Sequence, residues 1–243
     1  MAGPAKSILW WLFAAILLIA GHLAATWRVW SDPAARLPGP TGDNCMMTWN
    51  LGWVKYAFDT GSPGFWCPAA FYPNGFMFIY GSHTWLDGAL YWLLSGLLPP
   101  GYNGAVLWAN LSLLTATVST GLLLISSLRA WGISHWPVLL LAGAAVAFSW
   151  FRMFAMTGHY NFFGTHWMLA ALCLLSWSRR ASLHHDNRWP WIVAAAGVFL
   201  GAASLNDQTM AIFAGILGCI ILVTLPGENL RQRLKHILAA GTI

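Results

Sequence analysis

The segment ILWWLFAAILLIAGHLAA, residues 8–25, decides the fold class of this chain. It contains no acidic or basic side chain apart from one histidine, and a helix needs about 20 apolar residues to cross the hydrocarbon core of a bilayer. The run exceeds the apolar region of a signal peptide, which is about 7–15 residues long, and no convincing small-residue cleavage site follows it. We therefore expect it to be a retained first membrane span.

The composition of the whole chain agrees with this expectation. The 243 residues are 58% hydrophobic and 8% charged, whereas a soluble domain carries about 25% charged residues. The net charge of +5 does not indicate a nucleic-acid partner, because the basic residues fall in short loops and form no run interleaved with aromatic residues. The 17 tryptophans are typical of the two bilayer interfaces. We expect a multi-pass protein of a bacterial inner membrane, with the lipid bilayer as a partner.

Five further apolar stretches follow, at residues 105–128, 137–151, 162–177, 192–203 and 210–225. They predict an all-α, polytopic membrane helical bundle of about six spans. This bundle forms a single transmembrane domain over residues 1–243, with a long first external loop over residues 27–101. Another apolar run starts at residue 236 and reaches only residue 243, about 12 Å of helix. We therefore expect the N-terminal part of a longer membrane protein, or a truncated relative of one.

The stretch 83–98 leaves two topologies open. It is apolar but short for a span, and Pro99-Pro100 end it. If it lies in the interface, the loop 27–101 faces outward; if it crosses the membrane, the loop becomes cytoplasmic. The positive-inside rule accepts both arrangements. The short length of the stretch, the position of Lys6 before the first span and the placement of the cysteines favour the outward-facing loop.

Two cysteines, Cys45 and Cys67, lie outside the candidate spans, and both lie in this loop. An oxidising periplasm would allow a disulfide between them, and two free thiols are the alternative. The loop is also predicted to carry two interfacial amphipathic helices. In the first helix, one face is polar (Asn44, Thr48, Lys55, Asp59) and the opposite face is largely aromatic (Met46, Trp49, Trp53, Tyr56). In the second, His83, Asp87 and Tyr91 give a polar edge.

Several short motifs resemble one family. Residues 42–43 read GD, 49–53 read WNLGW, 71–73 read FYP and 81–83 read GSH; later, 148–152 read FSWFR, 158–161 read GHYN and 165–167 read THW. Together they resemble the first external loop, and a later connection between spans, of GT-C membrane glycosyltransferases. Two departures are visible. The chain stops before the later spans of such enzymes, and no Glu stands beside residues 81–83, where close relatives are expected to carry a second carboxylate.

The resemblance implies an enzyme that transfers a sugar from a polyprenyl-phosphate donor to an acceptor on the outer face of the membrane. Asp43 matches the first-loop carboxylate, which takes a proton from the acceptor hydroxyl or helps to hold a divalent metal ion. Arg152 is the expected phosphate contact, because its planar fork can donate two hydrogen bonds, with His159 and Asn161 assisting. His83 is a further substrate-binding candidate, which pairs at i, i+4 with Asp87 either toward a metal or as a simple helix-surface pair.

Each of these roles has a structural alternative. Asp43 is also a good cap for the helix that follows it, and Arg152 also suits a span end that snorkels to the interface. His22 and His166, in or near spans, suit either a haem or pigment ligand or ordinary packing. The alternative function is a non-catalytic accessory subunit of a larger membrane complex: a degenerate GT-C relative or a subunit in contact with a pigment or haem.

Overall fold

A computed structural model of the chain describes residues 4–39, 43–68, 74–77, 84–159, 164–184 and 186–223. This part of the chain is mostly helical. The helices are α1 (Pro4–Ala25), α2 (Trp27–Trp30), α3 (Asp43–Thr60), α4 (Trp85–Leu94), α5 (Tyr102–Ala130), α6 (Trp136–Ala147), α7 (Trp150–Met156), α8 (His166–Leu183), α9 (Trp189–Asn206) and α10 (Gln208–Val223). A 3₁₀ turn, Ser95–Leu97, follows α4, and two short strands, β1 (Trp66–Cys67) and β2 (Phe76–Met77), pair antiparallel.

Three helices of the described residues are long and apolar enough to cross a membrane: α1 from Ser7 onward, α5 and α9. The helices α6 and α7 make a fourth span if the pair, bent by 41° at a short break, is counted as one. The prediction of a helical membrane protein is confirmed. Among the described residues, however, three or four helical segments are long and apolar enough to span a membrane, where about six spans were predicted. The described parts of the remaining two predicted stretches lie in α8, whose last turns contain Arg179 and Arg180, and in α10, which is 16 residues long.

The helix α5 is the centre of the bundle. Its 29 residues extend about 44 Å, and it packs against α1, α3, α6 and α8. A buried cluster that includes Leu51, Tyr91, Leu113 and Met156 joins α5 to α3, α4 and α7. At the other end of α5, Ile125 packs with residues of α1 and α6. The same helix therefore carries both the membrane core and the platform for the loop.

Glycines allow the helices around α5 to approach closely. A Cβ atom at Gly121 would lie 2.6 Å from Leu18 Cδ1, and one at Gly143 would lie 2.9 Å from Ile125 Cδ1. Small residues at helix contacts let backbones approach within a membrane, where packing rather than hydrophobic exclusion drives association. These positions fix α1 and α6 against α5.

The helix α4 does not reach across a bilayer. Its ten residues extend about 15 Å, about half of the hydrocarbon thickness. It lies instead over one end of the bundle. The Asn206 side chain at the end of α9 accepts a hydrogen bond from Asp87 N at 3.3 Å, and Trp108 Nε1 of α5 donates to Asp87 O at 2.9 Å.

Only part of the polar faces predicted for α3 and α4 is buried. Asn44 and Thr48 are buried, as are Asp87 and Tyr91, whereas Lys55, later in α3, is partly exposed. The reason is that α3 packs against both α4 and α5 through the face that carries the short polar residues. The side chains of Asn44, Thr48 and Tyr91 are stable in the interior because they donate hydrogen bonds to backbone carbonyls, as Thr48 Oγ1 does to Asn44 O at 2.7 Å.

Cys45 and Cys67, for which the sequence left a disulfide and two free thiols open, are both free thiols in the structure. The two cysteines lie against different elements. The Cys45 side chain lies close to Tyr102 at the start of α5. Cys67 is buried in β1, opposite Phe76 of the neighbouring strand.

Candidate active site

Asp43 lies in the first turn of α3. Its side chain is half exposed, so the carboxylate is accessible while its backbone belongs to a helix that packs on α4 and α5. The helix dipole favours a negative charge at this end. The position therefore holds an anionic carboxylate on a rigid element without burying it.

The next residue, Asn44, connects two distant parts of the chain. Its amide nitrogen donates to Pro38 O at 3.0 Å and to Met156 O at 2.9 Å, and the residue is buried. The first bond holds the segment that precedes α3, and the second holds the end of α7. The sequence pattern placed Asn44 on the polar stripe of an interfacial helix and did not indicate this role, although Asn44 is adjacent to Asp43.

A close backbone contact reinforces the connection made by Asn44. Gly39 has a φ angle of +83°, and a Cβ atom at this position would lie only 1.9 Å from the carbonyl oxygen of Thr157. Glycine is required for two independent reasons, the left-handed backbone and the space taken by Thr157. The residues that follow α7 are thereby held against the residues that lead into α3.

This packing brings two of the predicted site residues together. His159 Nδ1 lies 3.1 Å from Asp43 Oδ2, with both side chains partly exposed. The imidazole ring also packs on Phe154 of α7, with the ring centroids 5.5 Å apart. His159 is therefore positioned from one side by an aromatic ring and from the other by the carboxylate.

A carboxylate–imidazole contact of this kind has a definite chemical use. With Nδ1 protonated, the ring donates its N–H to Oδ2 and fixes the orientation of the carboxylate. The second oxygen, Oδ1, then points a lone pair that can accept a proton from a hydroxyl group placed within hydrogen-bond distance. The arrangement suits general-base chemistry on an alcohol.

Arg152 lies in the interior of the bundle. It is 3% exposed, its Nη1 donates to Thr165 Oγ1, and its Nη2 donates to Ala116 O at 3.3 Å. These contacts tie α7 to α5 and to the residue that precedes α8. Its predicted contact with a phosphate stays a prediction, and the structure adds a positioning role that the sequence did not indicate.

The other predicted site residues do not add to this geometry. His83 and Asn161 lie outside the described residues. Within the described ranges, no group of three or more His, Cys, Asp or Glu side chains is arranged to hold a metal ion. His22 is buried, and its Nδ1 lies 2.8 Å from Thr117 Oγ1, which favours packing over a ligand role.

The described residues also line two large cavities that sequence reasoning did not find. One, of about 600 Å³, runs along α5 from Trp108 to Ser126 and is bordered by His166 and Trp167 of α8. The other, of about 740 Å³, lies on the loop side between α3, β1 and the start of α5. The helical spacing of Trp49, Trp53 and Tyr56 did not predict this second cavity, because aromatic residues at that spacing are equally typical of a membrane interface.

Comparison with protein-family models, with curated proteins and with solved structures found no match to this chain. The helical membrane-protein class follows from the fold itself.

Proposed function

We propose that the chain forms the catalytic region of a GT-C-like membrane glycosyltransferase, which transfers a sugar from a polyprenyl-phosphate donor to an acceptor on the outer face of the membrane. The observation that carries the proposal is the 3.1 Å contact between His159 Nδ1 and Asp43 Oδ2. Asp43 and His159 were predicted as site residues from motifs in two separate stretches of the sequence. The Asn44 hydrogen bonds to Pro38 and Met156 explain why the two stretches lie close together.

In the proposed reaction, Asp43 Oδ1 accepts the proton of the acceptor hydroxyl as its oxygen bonds to the anomeric carbon of the donor sugar. The bond between that carbon and the phosphate oxygen breaks, and its electron pair leaves with the phosphate. His159 holds the carboxylate in place through Oδ2. The need for the base follows from the weak nucleophilicity of a neutral hydroxyl.

The cavity along α5 supports a lipid-linked donor. From Trp108 to Ser126 it follows 18 residues of helix, a rise of about 27 Å, which is close to the thickness of the hydrocarbon core. Leu111, Leu122 and Phe199 contribute to its apolar wall, and an isoprenoid chain has matching chemistry. The residues His166 and Trp167 also border the cavity, with the His166 Nδ1 and Trp167 Nε1 atoms buried.

The test is sugar transfer by the full chain in liposomes, with a panel of radiolabelled polyprenyl-phosphate sugars and a bacterial membrane extract as the acceptor source. Replacing Asp43 by Asn keeps the size and removes the base, and we expect kcat to fall about 10²- to 10⁴-fold. Asp32→Asn is the matched control, because Asp32 is exposed on the same segment of the chain and has no proposed role. We expect it to leave transfer unchanged.

Equal transfer by the wild type and Asp43→Asn would remove Asp43 from the chemistry. Absence of transfer by the wild type with every donor would overturn the proposal and favour the accessory-subunit alternative.

A further inference from the structure

The loop-side cavity has the form of an aromatic cleft, which we call the outer cleft. It is bounded by α3, by Trp66 of β1, by Tyr91 of α4 and by Tyr102 at the start of α5. Four elements of the described chain thus enclose it, so it is a concave site and not a flat helix face. Its volume, about 740 Å³, is in the range of ligand pockets, roughly 300–1,000 Å³.

A row of aromatic rings forms one wall of the outer cleft. The rings of Trp49 and Trp53 are nearly parallel, with centroids 6.4 Å apart, and Trp53 and Tyr56 have centroids 5.4 Å apart. Trp49 is 40% exposed and Tyr56 is 52% exposed. Large ring surfaces that remain accessible inside a concave site are available to stack against a ligand.

The charges of the outer cleft cancel. Lys55 pairs with Asp59, whose second carboxylate oxygen accepts a hydrogen bond from Trp92 Nε1 at 3.0 Å. The hydrogen bond from Lys55 lowers the pKa of Asp59, so the carboxylate stays ionised at neutral pH. These two residues are the only charged side chains among the described residues that line the cleft. An anionic phosphate or lipid headgroup would require a net positive site, and this one is neutral.

Polar groups suited to hydroxyl ligands stand beside the rings. The Lys55 ammonium offers donors and the Asp59 carboxylate offers acceptors, held in fixed positions by their contact. The cleft therefore combines exposed ring faces with a neutral, paired set of donors and acceptors.

We propose that the outer cleft binds a neutral saccharide, and that this saccharide belongs to the acceptor of the transfer reaction; the second part rests on the proposed function. A sugar ring has apolar C–H faces that pack on aromatic rings, and hydroxyl groups at its edge that bond to a Lys–Asp pair. Trp49 follows Asp43 by six residues on the same helix, a rise of about 9 Å, and the two positions lie about 120° apart around the helix axis. A saccharide stacked on Trp49 would reach the Asp43 carboxylate by curving around α3.

Binding is measured apart from transfer, with the full chain in phosphatidylcholine nanodiscs, because many detergents carry sugar headgroups. The probes are immobilised neutral hexasaccharides of glucose, mannose, galactose and N-acetylglucosamine. We expect at least one to bind, and we expect Trp49→Ala to weaken it about tenfold while Trp49→Phe, which keeps a ring, retains most of the affinity. Trp27→Ala is the matched control, since Trp27 is 65% exposed outside the cleft, and its affinity should equal that of the wild type.

The outcomes separate the two proposals. No binding of any probe, or equal affinity of the wild type and Trp49→Ala, overturns the saccharide site. Stronger quenching of the wild type than of Trp49→Phe by brominated lipids would place Trp49 in the lipid layer, and this result also overturns it. Saccharide binding that survives in Asp43→Asn and depends on Trp49 supports the cleft even if no transfer is detected. Transfer with an acceptor KM unchanged by Trp49→Ala sustains the proposed function and overturns the acceptor assignment.

Discussion

Gly39 gives the sharpest test of how the candidate active site is assembled. It has a φ angle of +83°, and an added Cβ atom would lie 1.9 Å from Thr157 O. Real Cβ atoms essentially never approach another heavy atom closer than 3.0 Å, so Gly39→Ala must separate the two backbone segments by about 3.0 − 1.9 = 1.1 Å. The carbonyl belongs to the backbone and cannot rotate away as a side-chain tip would.

The expected loss of stability in Gly39→Ala has two contributions. The left-handed backbone costs an alanine about 1–2 kcal/mol, and the forced separation lengthens the Asn44 hydrogen bonds, each worth about 1 kcal/mol. His159 follows Thr157 by two residues, so the same separation draws its ring away from Asp43. A misplacement of about 1 Å costs about 10²-fold in rate, and we expect kcat for transfer to fall by that factor.

Gly132→Ala is the matched control for this variant. Gly132 also has a positive φ angle, +93°, but nothing lies within 4 Å of its added Cβ, so it carries the backbone cost alone. Thermal unfolding in nanodiscs and the transfer assay are run on both variants. We expect Gly39→Ala to lose more stability than Gly132→Ala and to lose transfer, whereas Gly132→Ala keeps it. Equal losses in the two variants would refute the claim that the contact with Thr157 positions the site.

Two further predictions concern the bundle and its polar turn. Gly121→Val overpacks the contact with α1, and we expect it to destabilise the protein by about 1–3 kcal/mol in reversible unfolding. Gly201→Val is the control, because the space around its added Cβ is open, and we expect it to lose clearly less stability. Similar losses of stability in the two variants would contradict the close packing of α1 on α5. Hydrogen bonds from the side chain and backbone of Arg188 lower the pKa of Asp186 from 3.8 to about 2, so the stabilisation is complete above pH 3.8 and is lost as the pH falls through about 2. Arg188→Gln should move the carboxyl titration seen by NMR toward 3.8, and an unchanged midpoint would contradict the pairing.

The sequence was informative about the membrane class because long apolar runs have few alternative structures. The segment 8–25 and the run within α5 could be predicted from length and hydropathy alone. The count of spans was less certain, because α8 combines an apolar first half with Arg179 and Arg180 near its end. Hydropathy reports the average environment of a stretch and not its depth or tilt.

The orientation of α3 could not be predicted for a different physical reason. An amphipathic pattern states that two faces differ, but in a loop packed on a membrane bundle either face can be the buried one. Asn44 is buried, with one hydrogen bond to Pro38 and one to Met156, and no local pattern encodes a partner 112 residues away. The aromatic side chains that look like membrane anchors instead line a cleft together with a charged pair.

The seven acidic residues of the chain show why Asp43 differs from its counterparts. Three ion pairs join described residues. Asp59 pairs with a lysine four positions away and Asp186 with an arginine two positions away, which are the spacings of a helix and a turn. Asp43 meets His159 across 159 − 43 = 116 positions. A local pair stabilises its own element, whereas a pair across that distance forms only when two distant segments are already docked. A close glycine contact and a buried asparagine hold these two segments together. Of the three paired carboxylates, that of Asp43 is therefore the one whose pairing depends on contacts between distant parts of the chain.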